Sequence, residues 1–153
     1  MPFTTTIAKC KEEERKKGWV AAGADAAHIN EKVRKGCVAA VKALTGAPET
    51  AKWRRGKKVK GNNIPPGTAI ATFPVEKDDE PFGFKGHAAI YSFQTEGCLH
   101  VYDQHENKRF SWQMIRFQCG GYVSNDGEAF YVIETMQDSS TTDPALCGPT
   151  SFY

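Results

Sequence analysis

The order of the predicted elements indicates an α+β fold in which an antiparallel sheet packs on helices. Helix-forming segments lie before Gly46, and short β-branched and aromatic segments, separated by turn residues, follow the turn at Pro65–Gly67. The chain has 153 residues, enough for one hydrophobic core but too few for two comfortable domains. We therefore expect one domain over 1–153, with its core at about 24–134, an N-terminal helix before it and an irregular C-terminal tail after it.

Three helical segments are predicted in the first part of the chain. Residues 8–17 are rich in Lys and Glu, and residues 24–34 form a second, polar segment. A third helix is predicted to begin near Cys37 and to end at Gly46, because apolar residues recur between them at helical spacing. These apolar residues are Val38, Val41 and Leu44. Residues 46–67, rich in Lys, Arg, Gly, Asn and Pro, are expected to be a long connection.

Five strands are predicted in the second part of the chain. Their sequences are TAIATF (68–73), HAAIYSF (87–93), CLHVYD (98–103), FSWQMIRF (110–117) and AFYVIE (129–134). The second and third of these are separated by the turn QTEG, so they are expected to form a hairpin. Trp112 and Phe117 are expected to occupy core positions of the fourth strand.

Composition and charge exclude several classes of protein. A hydrophobic content of 40% and a charged content of 25% are typical of a soluble globular protein. The formal net charge of +2 is too small to indicate a nucleic-acid partner, and no apolar run approaches the roughly 20 residues that cross a membrane. The first residues, MPFTTTIAKCKEEER, lack the apolar core of a signal peptide, so export is expected to need another route.

The five cysteines leave at least one thiol outside any intramolecular disulfide, because their number is odd. Two interpretations stay open. Two disulfides join four of them, namely Cys10, Cys98, Cys119 and Cys147, or all five are reduced and most serve as small core residues. No cysteine or histidine pair has the usual close spacing of zinc ligands, and the chain has no phosphate-binding loop, so no metal or cofactor is expected.

Cys37 is the candidate nucleophile. It follows Gly36 at the predicted start of a helix, where the helix dipole and free N–H groups stabilise a thiolate and can hold an oxyanion. A thiolate nucleophile works with a histidine base, which in turn needs an orienting partner. The alternative is a buried and unreactive core thiol.

His87 is the candidate base among four histidines. His28 lies in a polar helical segment and His105 in a polar turn, where solvated positions are expected. His100 lies within a predicted strand of alternating residues, so it is expected to be a half-buried residue of the sheet. His87 follows Gly86 and opens a strand, so its side chain can reach a cleft at the edge of the sheet.

Hairpin pairing limits the partner of His87 to two residues. Paired residue numbers in an antiparallel hairpin have a constant sum, here about 190 to 192, so His87 faces a residue near 103–105. An even sum places Asp103 beside it, and an odd sum places Gln104 there. Both accept a hydrogen bond from an imidazole, but a carboxylate also stabilises an imidazolium, so Asp103 is preferred and Gln104 is the reserve.

The order of a cysteine at a helix start before a histidine at a strand start is similar to that of papain-like enzymes. The segments GCVAAVKALTGAP, IPPGTAIATF, GHAAIYSF and VYDQ resemble small single-domain papain-like amidases of the NlpC and CHAP type, over roughly residues 30–134. Within that group the chain is most similar to compact bacterial amidase-effector-like proteins. One departure is that many relatives carry an aromatic residue or Asp beside the cysteine, where this chain has Gly36 and Val38.

The resemblance implies a papain-like single domain that hydrolyses amide bonds in peptidoglycan stem peptides. It implies Cys37 as nucleophile and His87 as base, with Asp103 in a third position that varies among relatives. It also implies an antibacterial effector, with an immunity protein as a further partner. Such a protein would be secreted or delivered to the periplasm or cell wall without a signal peptide, with a cytoplasmic location as the alternative.

Two other functions stay open, a thiol acyltransferase on the same scaffold and a non-catalytic module that binds the cell wall or another protein. The densest basic run, KWRRGKKVKGNN at 52–63, contains an aromatic residue, as nucleic-acid-binding segments do. The balanced total charge instead favours a solvated loop, which beside a cleft would attract peptidoglycan carboxylates. Trp53 is expected mainly to anchor this loop by packing. The residues assigned to binding are Trp53 and Gln104.

Overall fold

The computed structural model describes residues 2–73, 83–117 and 126–135. Within these ranges the helices are α1 (Ile7–Arg15), α2 (Gly23–Ala26), α3 (Glu31–Arg34) and α4 (Cys37–Thr45). The strands are β1 (Trp53–Lys58), β2 (Ala69–Thr72), β3 (Ala88–Gln94), β4 (Cys98–His105), β5 (Lys108–Arg116) and β6 (Phe130–Thr135). The predicted irregular tail, Cys119 and Cys147 lie outside the described residues.

The strands form one antiparallel sheet in the order β1-β6-β2-β3-β4-β5, and the helices pack on one of its faces. On that face α4 contacts β3 and β4, and α1 contacts β5. Successive residues of a strand point to opposite faces, so Ile90 packs with Val41 of α4, whereas Ala89 packs with Phe130 in a second cluster on the other face. The predicted α+β fold with helices on an antiparallel sheet is confirmed, and the five predicted strands correspond to β2–β6.

The helix that carries Cys37 begins where the sequence predicts and ends at a left-handed glycine. Gly46 has a φ of 79° and donates its N–H to Lys42, which stops α4. The predicted helix at 24–34 is instead two short helices, α2 and α3. The break occurs because Asn30 has an extended backbone and its side chain caps α3 by accepting from the backbone N–H of Lys32.

The basic run that was predicted to be a solvated loop contains the edge strand β1. This strand pairs antiparallel with β6, and its first residue, Trp53, is fully buried. Residue propensity does not predict this strand, because it is composed mostly of Lys, Arg and Gly. Cationic side chains nevertheless suit an edge strand, because they oppose pairing with another chain. None of the described helices has the length and apolar character that a bilayer span requires.

Trp112 is not a core residue, contrary to the prediction. It is 45% exposed and stacks on His100, with ring centroids 5.7 Å apart. Phe110 and Trp112 are two positions apart in β5 and point to the same face, yet Phe110 is fully buried in the first cluster while Trp112 is exposed. Phe117 is half-buried and packs against the second cluster.

Candidate active site

Cys37, His87 and Asp103 are brought together at one end of the sheet by three different elements. Cys37 is the first residue of α4, His87 directly precedes β3, and Asp103 lies near the end of β4. The Cys37 side chain is half-buried and lines a cavity of about 370 Å³. A nucleophile candidate is therefore placed at a helix N-terminus, beside open space and within reach of an imidazole.

Gly36 gives the start of α4 its particular form. As N-cap it has no side chain, so the first turn of α4 has no side-chain cap. The N–H groups of this turn remain available to an oxyanion. A Cβ at Gly36 would lie 2.6 Å from the carbonyl oxygen of Lys32, so the close approach of α3 and α4 requires glycine here.

His87 is held at both its backbone and its ring. Its backbone N–H donates to the Oγ1 of Thr72 at 2.9 Å, and its carbonyl accepts from the N–H of Thr72 at 2.9 Å. Its Nε2 lies 2.6 Å from the Oδ2 of Asp103, whose side chain is fully buried. Because Nε2 faces Asp103, Nδ1 is the ring nitrogen that remains for Cys37.

The electrostatics of the pair favour a charged imidazole beside a charged carboxylate. Burial opposes the imidazolium, but hydrogen bonds to Asp103 and Cys37 outweigh it and raise the pKa of His87 to about 10. Burial also opposes the carboxylate of Asp103, but the hydrogen bond and charge of His87, together with Lys108, lower the pKa of Asp103. Asp103 is thus an ionised orienting group at neutral pH.

A β-bulge in the hairpin of β3 and β4 explains why Asp103, rather than Gln104, lies on the same face as His87. The pairs are Gln94 with Leu99, Phe93 with His100, Tyr91 with Val101 and Ile90 with Tyr102. The paired numbers sum to 193 near the turn and to 192 beyond Ser92, which is the extra residue. Without this bulge the odd register would continue and would put Gln104 on the face of His87, so the preferred even register exists because of Ser92.

Two residues of β5 that the sequence analysis missed hold Asp103 in place. Lys108 Nζ donates to Asp103 Oδ1 at 2.8 Å, and also to the carbonyls of Asp103 and Ser111. Gln113 Nε2 donates to Asp103 Oδ2 at 2.6 Å. Asp103 pairs with Ser111 across β4 and β5, so the same pairing arithmetic, applied to this second hairpin, would have placed Gln113 diagonally beside it.

Gln104, the reserve partner of His87, has a different environment. Its side chain is fully buried, accepts from the N–H of Val20 at 2.7 Å and donates to the carbonyl of Val20 at 3.0 Å. It also donates to the carbonyl of Gly36 at 2.9 Å. The assignment of Gln104 to substrate binding is corrected, because its amide is used to join the N-terminal segment to the start of α4.

Trp53 is also corrected as a binding residue. It is fully buried, donates from Nε1 to the carbonyl of Pro48 at 2.8 Å, and packs edge-on against Phe84 with centroids 4.9 Å apart. A ring without exposed surface cannot stack on a substrate. The preferred interpretation, a packing anchor, agrees with this position.

The other histidines and cysteines are arranged differently. His28 and His105 are exposed, as expected, and each accepts from a nearby backbone N–H through Nδ1. His100 is half-buried in the sheet, also as expected, and its Nε2 lies 3.5 Å from the Sγ of Cys98. Across the described ranges the thiols of Cys10, Cys37 and Cys98 are free, and no cluster of potential metal ligands occurs.

Comparison with known proteins gives three consistent matches. A sequence profile of the family described as Domesticated amidase effector 2 matches residues 1–133, which include Cys37, His87 and Asp103. A curated protein described as Domesticated amidase effector 2, from Ixodes scapularis, is 39% identical over 108 residues, covering 66% of this chain and 72% of that protein. A solved structure of Type 6 secretion amidase effector 2 has a TM-score of 0.57 and 26% identity, covering 81% of this chain and 91% of that one. The resemblance predicted from GCVAAV and GHAAIY, and the papain-like fold, are confirmed.

Proposed function

The chain belongs to the Domesticated amidase effector 2 family, and from this premise we propose that it is a cysteine hydrolase of amide bonds in peptidoglycan stem peptides. In this proposal Cys37 is the nucleophile, His87 the base and Asp103 the orienting acid. The observation that carries it is the position of His87, whose ring hydrogen-bonds a buried carboxylate through Nε2 and also interacts with the side chain of Cys37.

The geometry supports a two-step acyl transfer. The thiolate of Cys37 attacks the amide carbonyl, and the oxyanion is held by the uncapped N–H groups of α4. His87 then donates its proton to the departing amine, which leaves a thioester on Cys37. In the second step His87 takes a proton from water, the water attacks the thioester, and the carboxylic acid and the thiol are released.

The proposal includes a biological setting, which the amidase effector family supports. An amidase effector that cleaves peptidoglycan acts at the bacterial wall after delivery, as an antibacterial toxin, and an immunity protein would protect cells that make it. We propose that the whole chain, 1–153, is a single domain, since α1 contributes Cys10 to the same apolar cluster as α4.

Digestion of purified peptidoglycan and soluble muropeptides, read by mass spectrometry, tests this function. Native protein is compared with Cys37→Ala and with the matched variant Cys98→Ala, which removes a thiol elsewhere on the sheet. We expect new fragments from the native protein and from Cys98→Ala, and none from Cys37→Ala, with fragment masses identifying the cleaved bond.

Two outcomes would contradict the proposal in different ways. Equal cleavage by Cys37→Ala would show that the cysteine is not the nucleophile. If the native protein leaves all muropeptides intact while iodoacetamide modifies Cys37 near pH 6, the peptidoglycan assignment is wrong and a cysteine enzyme with another substrate remains.

A further inference from the structure

The cavity beside Cys37 has a chemical character of its own. Its walls come from α2, α3, the start of α4, Thr50 and the segment that precedes His87. Its volume of about 370 Å³ lies in the range of small-ligand pockets, so it can receive a short part of a peptide. Two of its lining residues, Asp25 and Lys32, carry charged side chains.

The two charged residues of the cavity differ in their partners. Asp25 is neutralised by Lys42, whose Nζ lies 3.0 Å from its Oδ2. Lys32 makes no ion pair with any residue in the described parts of the chain. The other two cations of this region, Arg34 and Lys35, are both paired with Glu31. Lys32 therefore supplies the uncompensated charge of the cavity wall.

Lys32 is also fixed relative to the nucleophile through its backbone. Its N–H donates to the capping side chain of Asn30 at 2.8 Å. Its carbonyl oxygen lies so close to Gly36 that a Cβ there would be 2.6 Å away. The backbone of Lys32 thus sits directly against the residue that precedes Cys37, while its side chain is exposed.

We propose that Lys32 binds a carboxylate of the substrate in this cavity. The enzyme would then prefer stem peptides with a free carboxylate near the cleaved amide over the same peptides with a carboxamide. This inference rests on the proposed function, since it assigns a specificity residue to the same site. The unpaired charge of Lys32 at the cavity wall and the fixed place of its backbone against Gly36 support it.

The experiment uses two synthetic peptides that differ only in carboxylate against carboxamide. Native protein is compared with Lys32→Met, Lys32→Arg and the matched variant Lys11→Met, which removes an exposed lysine of α1. We expect the native protein and Lys11→Met to prefer the carboxylate peptide about fivefold through KM, as for one partly exposed ion pair. Lys32→Met should lose this preference, and Lys32→Arg should retain most of it.

The same comparison is made by binding, so that it does not depend on turnover. Both peptides are titrated into Cys37→Ala protein with and without Lys32→Met, at low and high salt. A carboxylate preference that disappears with Lys32→Met supports the inference. Equal affinity of the two peptides, or equal weakening of both by Lys32→Met, overturns it. If no cleavage that depends on Cys37 is found, the proposed function is overturned instead. The titration still decides whether Lys32 binds a carboxylate.

Discussion

The described part of the structure holds two cysteine–histidine pairs, one between a helix start and the sheet and one within the sheet, and their surroundings differ. Cys37 begins a helix beside a cavity, and its histidine is oriented by the buried carboxylate of Asp103. Cys98 is 8% exposed at the start of β4, directly after the hairpin turn, and its Sγ lies within hydrogen-bond distance of His100 and Thr95. The ring of His100 stacks on Phe93 with centroids 4.1 Å apart, and its buried Nδ1 has no partner in the described part of the chain.

The comparison shows that closeness of sulfur and nitrogen does not make a catalytic pair. The pair at Cys37 adds three features: uncapped N–H groups for an oxyanion, open space for a substrate, and an acid that fixes the imidazole. The described environment of Cys98 and His100 offers neither a helix terminus nor a carboxylate. Four predictions test these differences, in order of decreasing effect on the cleavage rate.

Removal of the acid should have the largest effect. Asp103→Asn keeps the shape of the side chain but cannot stabilise an imidazolium, so kcat should fall by about 100- to 10,000-fold, the usual range for general acid–base catalysis. His100→Gln, made in the second pair, should retain the native rate. Muropeptide cleavage kinetics measure both variants, with circular dichroism as the check on folding. Equal rates for the two variants would remove the distinction between the pairs.

The glycine before each cysteine gives a second contrast. A Cβ at Gly36 meets the carbonyl of Lys32 at 2.6 Å, whereas a Cβ at Gly97 meets nothing within 4 Å. Gly36→Ala must therefore shift the start of α4, and a displacement of about 1 Å at a nucleophile costs about 100-fold in rate. Gly97→Ala should be active at the native level. Steady-state cleavage rates measure both variants. A fully active Gly36→Ala would show that catalysis by Cys37 tolerates the shift of the helix start.

The support of the acid should matter less than the acid itself. Lys108→Met removes one of the two cations that contact the buried carboxylate of Asp103, so we expect a loss of about 1 to 3 kcal/mol in unfolding free energy. The rate should fall by about tenfold, since Gln113 still holds Oδ2. Arg109→Met is the matched control, because this neighbouring cation of β5 is exposed. Urea unfolding and cleavage kinetics measure the two effects, and identical behaviour of both variants would assign Lys108 no role.

The limit of prediction from the sequence is clearest at Asp103, the third residue of the site. The helix start at Cys37 and the strand start at His87 follow from local patterns, Gly36 before an apolar helix and Gly86 before a strand. The choice between Asp103 and Gln104 depends on the bulge at Ser92, a feature of paired strands that no local pattern encodes.

The features that the sequence concealed were mostly non-local. Strand β1 has a basic composition, and its existence depends on pairing with β6 almost eighty positions away. The exposure of Trp112 cannot be predicted from alternation, because Phe110 on the same face of β5 is fully buried. Lys108 precedes the predicted strand at 110–117 and Gln113 lies within it, and neither was linked to the site because their partner Asp103 lies on a different strand.

The last expected effect is on stability and not on the cleavage rate, and it is a pH dependence that arises from the first pair. Imidazole in the unfolded chain loses its proton near pH 6.5, whereas folded His87 keeps it until about pH 10. The folded state binds the extra proton in this window, so the stabilisation that is complete below pH 6.5 is lost as the pH rises towards 10. Urea unfolding between pH 6.5 and about 8 stays below the titration of Cys10, whose pKa burial raises from 9.0 to about 12.

The two pairs again provide the control for this measurement. His87→Gln should flatten the decline of unfolding free energy with pH, and His100→Gln should leave the decline as it is in the native protein. A decline that persists unchanged in His87→Gln would mean that another group binds the proton.

The buried amide of Gln104 has a consequence for the order in which the protein folds. It joins Val20 and Gly36, which precede it by 84 and 68 positions, and contacts of such long sequence separation form late. A chain emerging from the ribosome presents the thiol of Cys37 well before β4 exists to fix the helix that carries it. The nucleophile is thus synthesised early but aligned only when the hairpin is complete, and hydrolytic power is expected to arise with the finished sheet.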